Sequence, residues 1–218
     1  MQKLTLQVPT LFLMMGCPGA GKTYFSRQLS ELLGISHISG DRIRFELFEE
    51  PRYTPEEDDV VLRLMDYMAE ELLKSGQSAI YDIGLNSLTS RKVRRELAHK
   101  QRAQGLTVWI QTDAATAFAR ASQRDRRTVD DKYSTSIDQD TFDRICNRVK
   151  RPLQGEAFTV ISGKHPFKVQ SAAILKRIGS NILLDQPDTH ASQPAQQPTD
   201  PRVTGGRVDM NRRRIVMR

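Results

Sequence analysis

The residues most able to do chemistry stand near the start of the chain, in the pattern Gly-x-x-x-x-Gly-Lys-Thr. Glycines let backbone N–H groups approach phosphate oxygens, and the lysine and threonine add a cation and a hydroxyl. We therefore predict a loop that binds a nucleoside triphosphate, with Lys22 at the β- and γ-phosphates and Thr23 on Mg²⁺. The residues assigned to this loop are Gly16, Cys17, Pro18, Gly19, Ala20, Gly21, Lys22 and Thr23.

The segments on either side of this loop favour the phosphate-binding interpretation over a glycine-rich turn without a ligand. The apolar run at residues 11–15 is typical of a buried strand, and Phe25, Leu29 and Leu33 recur at helical spacing behind the loop. When a buried strand leads through such a loop into a helix, the backbone N–H groups at the start of the helix point toward one place and attract an anion there. No Asn-Lys-x-Asp-like sequence follows the fourth predicted strand, so we expect the nucleotide to be ATP.

Two aspartates follow further apolar runs. Asp82 ends the run that begins at Ala79, where a carboxylate beside the loop strand can hold Mg²⁺, and a turn or capping aspartate is the alternative. Asp41 follows residues 36–39 and can accept the proton of an attacking hydroxyl, or it can simply cap a helix that opens at Arg42. Arg44 can hold the acceptor or a phosphate, or can be a solvated charge.

Arginines are concentrated near residue 124. Arg120 and Arg124 share a helix face, and a polar segment without periodicity follows. We predict that Arg124 and Arg127 lie on a lid and stabilise the charge of a transferred phosphoryl group, the alternative being a solvated basic face. The basic residues at 91–95 are expected to form the exposed face of a helix, although Arg91 and Arg95 could line an acceptor groove.

The elements that must position these residues alternate between strand and helix, which predicts an α/β fold with a parallel sheet. Predicted strands cover residues 11–15, 36–39, 79–82, 107–112 and 158–161, with a further edge strand at 181–184. Predicted helices cover residues 22–33, 55–76, 90–104, 114–124, 138–150 and 168–178, and Gly105 is expected to close the third of these helices.

Composition indicates one domain at residues 1–185 followed by a disordered Pro/Gln-rich linker and basic tail at 186–218. The net charge of +7 suits phosphate binding, and the tail could dock on nucleic acid or an acidic partner, or could serve only solubility. The longest apolar run is too short to span a membrane and no secretory signal is visible, so we expect a cytoplasmic protein. Two cysteines, Cys17 and Cys146, are too few for a disulfide framework.

Taken in order, the motifs resemble the small P-loop family of AAA-type ATPases and kinases that includes the kinase domain of polynucleotide kinase, and more distantly the zeta toxins. The resemblance spans residues 10–180 and rests on the phosphate loop, on residues 39–44, on Asp82 with Asn86, and on residues 123–127. It implies a P-loop NTPase three-layer sandwich whose five parallel strands are ordered 2-3-1-4-5, with helices on both faces and an arginine-bearing lid. It also implies that Asp41 is the general base and that Arg44 contacts the acceptor.

These features together predict a kinase that uses ATP and Mg²⁺ to phosphorylate a hydroxyl acceptor. The acceptor is expected to be a nucleic-acid 5′-hydroxyl or a small metabolite such as a sugar or amino sugar. Two alternatives remain open. One is a nucleotide-dependent switch that hydrolyses ATP without a kinase acceptor, and the other is a zeta-toxin-like kinase of a sugar-nucleotide precursor.

Overall fold

The computed structural model describes residues 4–129, 131–179 and 182–184. Its main sheet contains five parallel strands in the order β3-β4-β2-β5-β6, and β1 and β7 pair antiparallel in a separate two-stranded sheet. Counted among the five main strands alone, this order is 2-3-1-4-5, which confirms the predicted fold. The strands are β1 (Leu4–Leu6), β2 (Thr10–Met15), β3 (Ser36–Ser39), β4 (Ala79–Asp82), β5 (Gln104–Gln111), β6 (Phe158–Ser162) and β7 (Ile182–Leu184).

Helices cover both faces of the main sheet and form the outer layers of a three-layer sandwich. Helices α1 and α7 share one core cluster with the sheet, and α3 and α4 share the other. The helices are α1 (Lys22–Leu33), α2 (Gly40–Leu47), α3 (Pro55–Lys74), α4 (Leu88–Lys100), α5 (Ala114–Ser122), α6 (Gln139–Asn147) and α7 (Phe167–Ile178). We call residues 123–138, between α5 and α6, the lid.

The central strand β2 explains how the two core layers are joined. Leu11 and Leu13 enter the cluster beneath α3 and α4, whereas Phe12 and Met14 enter the cluster beneath α1 and α7. All six residues of β2 are buried, as expected for a strand covered on both faces. Because β4 and β5 flank it, the loop that follows β2 emerges in the middle of the sheet edge.

The structure corrects one predicted helix end and the pairing of one predicted strand. Helix α4 ends at Lys100, and Gly105 lies inside β5 because residues 104–109 pair with β2. The main chain of Gly105 is also closely packed, since an added Cβ would lie 2.8 Å from Cγ of Arg95. The predicted edge strand near residue 182 exists at Ile182–Leu184, but it pairs with β1 rather than with the main sheet.

Two further predictions concern the C-terminal tail and a membrane span. The predicted linker and basic tail, 186–218, lie outside the described residues. Across the part of the chain that is described, no helix has the length and apolar character needed to cross a membrane.

Arg91 has a structural role that its sequence context did not indicate. Its side chain is fully buried, and its Nε donates to Oε1 of Glu156 at 2.6 Å. Its Nη1 donates to the carbonyl oxygens of Leu85, Asn86 and Ser87 at 3.1–3.3 Å. The expected exposed position is therefore wrong for Arg91, which fixes the turn between β4 and α4.

We expect Arg91→Ala to lower the free energy of unfolding by about 3–5 kcal/mol, because Glu156 is left buried without its counter-charge. The neighbouring Lys92 is exposed, so Lys92→Ala should change stability by less than about 0.5 kcal/mol. Urea unfolding of both variants tests this expectation. Equal losses in the two variants would contradict the structural role of Arg91.

Candidate nucleotide-binding site

The loop at residues 16–21 joins the buried strand β2 to helix α1. Gly21 is the N-cap of α1 with φ of 102°, and no side chain caps this end of the helix. Helices α2 to α6, in contrast, are each capped by the side chain of a serine, threonine or aspartate. No side chain among the described residues therefore competes for the first N–H groups of α1, which is the arrangement that the predicted phosphate-binding loop requires.

Glycine is required in this loop for packing as well as for approach to phosphate. An added Cβ on Gly16, where φ is 143°, would lie 2.5 Å from the carbonyl oxygen of Ile110 on β5. An added Cβ on Gly19 would overlap the carbonyl oxygen of Ala117 on α5. The loop is thus held directly against the neighbouring strand and the helix before the lid.

Lys22 and Asn86 complete the local structure of the loop. Nζ of Lys22 donates to the carbonyl oxygens of Gly16 and Cys17, at 3.0 and 2.9 Å. Oδ1 of Asn86 accepts from the N–H of Gly16 at 3.1 Å, which ties the loop to the turn that Arg91 fixes. Burial lowers the pKa of Lys22 below its ordinary value, and the nearby Asp82 opposes this shift.

Asp82 and Asp41 meet at one sheet edge because β3 and β4 are parallel neighbours. Ser39 at the end of β3 pairs with Asp82 at the end of β4, and Asp82 is only 4% exposed. The cap of α2 is the Ser39 side chain, which accepts from the N–H of Arg42, so the alternative of Asp41 as the capping residue is wrong. His37, which the sequence did not single out, lies with Nε2 3.1 Å from Oδ2 of Asp82 and holds that carboxylate in place.

Asp41 is the partner-free carboxylate of the site. Among the described residues its side chain has no hydrogen-bond or salt-bridge partner, and it lines the same cavity as Lys22. Burial and the neighbouring Asp82 raise the pKa of Asp41 above its ordinary value, while Arg124 and Lys22 act against that rise. Groups with such opposing neighbours are typical of catalytic sites.

Arg44 lines the cavity, but its guanidinium forms salt bridges with carboxylates of α3. Its guanidinium is 3% exposed, forms salt bridges with Glu57 and Asp58, and lies 4.7 Å from the ring centre of Tyr53. Its Nε is buried without a hydrogen-bond partner in the described structure. The charge of Arg44 is therefore largely balanced within the protein, by Glu57 and Asp58.

The two predicted lid arginines have different positions. Arg124 lines the cavity, acts on the pKa of both Lys22 and Asp41, and donates through Nη1 to the carbonyl oxygen of Thr135 at 3.1 Å. Arg127 does not line the cavity, because its side chain is 91% exposed and forms a salt bridge with Asp125. The structure therefore brings only Arg124 to the other predicted residues.

Helix α6 supplies arginines that the sequence analysis missed. Thr141, Arg144, Ile145 and Arg148 all line the cavity from this helix and its end. Their spacing of three, four and seven residues places them on one face, and this spacing was the available signal. Tyr53 also lines the cavity from the segment before α3, where no periodic pattern marks it.

The cavity formed by these residues has a volume of about 1080 Å³. Thr23 and Asp82 both line it, and they supply the hydroxyl and carboxylate oxygens that suit Mg²⁺. Among the described residues, no group of three or more His, Cys, Asp or Glu side chains could hold a metal ion. The donor set thus fits an ion that also takes oxygens from nucleotide phosphates, as Mg²⁺ usually does.

The two cysteines, which are too few for a disulfide framework, are joined to each other. Cys17 in the loop and Cys146 in α6 form a disulfide with Cα atoms 5.1 Å apart. The sequence could not indicate this pair, because 129 positions separate the two residues.

The parallel sheet, the loop between β2 and α1, and the lid arginine define a P-loop NTPase fold of the kinase-like type. The model of the AAA domain family AAA_33 matches residues 11–152, more than half of the chain, and the chain belongs to that family. This finding confirms the resemblance that the motifs indicated. No curated protein matches the chain.

Several solved structures are similar to the chain at low sequence identity. A sugar kinase from Janibacter sp. HTCC2649 has a TM-score of 0.59 at 16% identity, over 79% of this chain and 95% of that one. The Mycobacterium tuberculosis APS kinase CysC, in complex with AMPPNP and APS, has a TM-score of 0.59 at 15% identity, over 79% and 98%. The Pnkp1/Rnl/Hen1 RNA repair complex has a TM-score of 0.57 at 18% identity, over 66% of this chain and 44% of that one. At these identities the likeness shows the fold alone.

We expect Arg124→Ala to weaken binding of a non-hydrolysable ATP analogue by about tenfold or more, because a hydrogen bond from a charged group contributes roughly 1.5–3 kcal/mol. Arg127→Ala is the matched control and should leave the dissociation constant within about twofold, because Arg127 lies outside the cavity. Isothermal titration calorimetry measures both. A larger effect from Arg127→Ala would contradict the position of the lid.

Proposed function

We propose that the protein is an ATP-dependent phosphotransferase that moves the γ-phosphoryl group of ATP to a hydroxyl of an acceptor. One observation carries the proposal: the partner-free carboxylate of Asp41 lines the same cavity as Lys22 of the phosphate loop. Helix capping does not account for Asp41, because Ser39 performs that role. A carboxylate kept in this position is suited to accept a proton from a bound hydroxyl.

The proposed mechanism assigns one task to each residue. Lys22 and the loop N–H groups bind the β- and γ-phosphates, and Asp41 orients the acceptor hydroxyl and takes its proton as the new O–P bond forms. Arg124 stabilises the negative charge on the equatorial oxygens while ADP departs with the electrons of the broken bond. Thr23 and Asp82 would hold Mg²⁺, which neutralises phosphate charge when bound.

The contacts of the lid support a small acceptor. The Tyr133 ring lies 6.3 Å from the Phe45 ring of α2, and the Arg126 guanidinium lies 4.6 Å from the centre of the same Phe45 ring. Oγ1 of Thr135 donates to the hydroxyl of Tyr53 at 3.3 Å. These contacts hold the lid against α2 and the segment before α3, on the side of the cavity where Asp41 and Tyr53 lie, and we take this as favouring an acceptor smaller than a polymer.

The charges on that side of the cavity favour a neutral or amino-bearing polyhydroxyl compound over a nucleic acid. Asp58 and Asp131 line the cavity there, and Glu57 and Asp58 offset the charge of Arg44. A phosphodiester chain needs free cations, whereas sugar hydroxyls bind well to carboxylates and to phenol groups such as that of Tyr53.

The test is transfer from γ-labelled ATP with Mg²⁺ to three acceptor sets: neutral sugars, amino sugars and 5′-hydroxyl oligonucleotides. We expect label on a sugar, and Asp41→Asn should reduce its transfer by about 10²–10⁴-fold because the proton acceptor is lost. Affinity for the ATP analogue should stay within about threefold of wild type, because a general base contributes mainly to the transition state. Asp59→Asn, on the exposed side of α3, is the matched control and should transfer normally.

Two outcomes of this assay would contradict the proposal in different ways. Label on the oligonucleotide would keep the phosphotransferase and change the acceptor class. Label found only in free phosphate, at a rate that Asp41→Asn does not change, would favour the ATPase switch. Loss of folding does not explain the expected result, because the pKa of Asp41 is raised in the folded state, which means that folding disfavours its ionised form. The melting temperature of Asp41→Asn should therefore equal or exceed that of wild type.

We expect transfer to decline on the acidic side with an apparent pKa above the ordinary aspartate value of 3.8, because the pKa of Asp41 is raised. Arg124 favours the ionised carboxylate and lowers this pKa, so Arg124→Ala should move the decline to higher pH. The measurement is kcat/KM against pH for both proteins. A shift to lower pH in Arg124→Ala would contradict Asp41 as the titrating group.

A further inference from the structure

The two cysteines of the chain meet where the phosphate loop touches helix α6. Cys17 is the second residue of the loop, and Cys146 lies in the last turn of α6. Their Cα separation of 5.1 Å lies within the range that a disulfide requires. The tertiary fold therefore places the only two cysteines of the sequence in bonding position.

Both partners of this pair belong to parts that handle the nucleotide. The carbonyl oxygen of Cys17 accepts from Nζ of Lys22 at 2.9 Å, so the backbone of Cys17 is part of the phosphate cradle. Helix α6 carries Arg144 and Arg148 into the nucleotide cavity, and Cys146 packs against the small cluster between α5 and α6 that contains Phe142. A bond between the two cysteines thus joins the cradle to the helix that follows the lid.

A second cavity gives small molecules access to Cys17. Its volume is about 620 Å³, it lies at the ends of β5 and β6, and Cys17, Asp113, Val149 and Lys164 are among its lining residues. Both cysteines are partly buried rather than sealed in the core. This position suits a thiol pair that exchanges with a small disulfide, whereas structural disulfides are usually closed to such exchange.

We infer that Cys17 and Cys146 form a reversible thiol–disulfide site, at which oxidation fastens α6 to the phosphate loop and slows the exchange of nucleotide. One cysteine thiolate attacks a small-molecule disulfide and releases one thiol; the second cysteine then attacks the mixed disulfide and releases the other thiol. The protein loses two electrons and two protons, and the small disulfide gains both. A thiol reverses the reaction.

The consequence for the nucleotide follows from the geometry. The phosphate loop and the residues Arg144 and Arg148 form two of the walls of the cavity in which a triphosphate would bind. Release requires the two sides to separate, and the disulfide prevents that separation at one end of α6. Oxidation therefore traps nucleotide when it is bound and hinders its entry when the cavity is empty.

The experiment uses the full chain loaded with a fluorescent ADP analogue and chased with excess unlabelled ADP, in dithiothreitol or in oxidised glutathione. The thiol state is followed by alkylation and intact-protein mass. Oxidised wild type should lose two hydrogen atoms, resist alkylation and release the analogue at least about tenfold more slowly, and dithiothreitol should restore the fast rate. Cys146→Ala should release at the rate of reduced wild type in both conditions, and Cys146→Ser serves if the alanine variant does not fold.

Four results would overturn the inference: both thiols still open to alkylation after oxidation, a retained glutathione adduct, a disulfide-linked dimer, or equal slowing in wild type and Cys146→Ala. The site goes beyond the proposed phosphotransferase activity and rests only on nucleotide binding. Because the readout is release of a nucleotide, a protein that fails to transfer phosphate would still give a clear answer here.

Discussion

The rest of the structure depends on the burial of strand β2 on both faces. Each large apolar side chain removed from water contributes about 1.5–3 kcal/mol, and β2 directs such side chains alternately into the two core clusters. Hydrogen bonding to β4 and β5 fixes where the strand ends. The phosphate loop therefore starts at a rigid point, with Gly16 against β5 and Gly19 against α5.

The same parallel arrangement concentrates charge at one edge of the sheet. Lys22 begins α1, Asp41 lies in the first turn of α2, and Asp82 ends β4. Although they belong to three different elements, each of them affects the pKa of another. Such crowding is unfavourable: burial lowers the pKa of Lys22 and raises that of Asp41. The core and the turn that Arg91 fixes hold these groups together although their proximity is unfavourable. Active sites commonly contain such unfavourable groups, and the stability of the surrounding fold compensates for them.

Sequence patterns were sufficient for the features that depend on local order and on the rules of parallel sheets. The phosphate loop and the positions of Asp41 and Asp82 at one edge follow from apolar runs and from where they end, whereas the strand order was implied by the resemblance to a known family. Features set by distances across the fold were not predicted. A buried basic residue and a solvated one look the same in a helical pattern, and only the contact with Glu156 distinguishes Arg91 from Lys92. Likewise, the salt bridge to Asp125 turns Arg127 away from the cavity, and no periodicity marks that choice.

Charge balance links closure of the lid to the action of the base. In the described chain, six lysines and arginines line the nucleotide cavity against four aspartates. A triphosphate brings further negative charge, which by itself would raise the pKa of Asp41 further. Arg124 acts against that rise, and the lid holds it in place through Thr135. The lid contact with Arg124 therefore favours the ionised base as well as the charged phosphates, and removing Arg124 from the cavity would raise the pKa of Asp41.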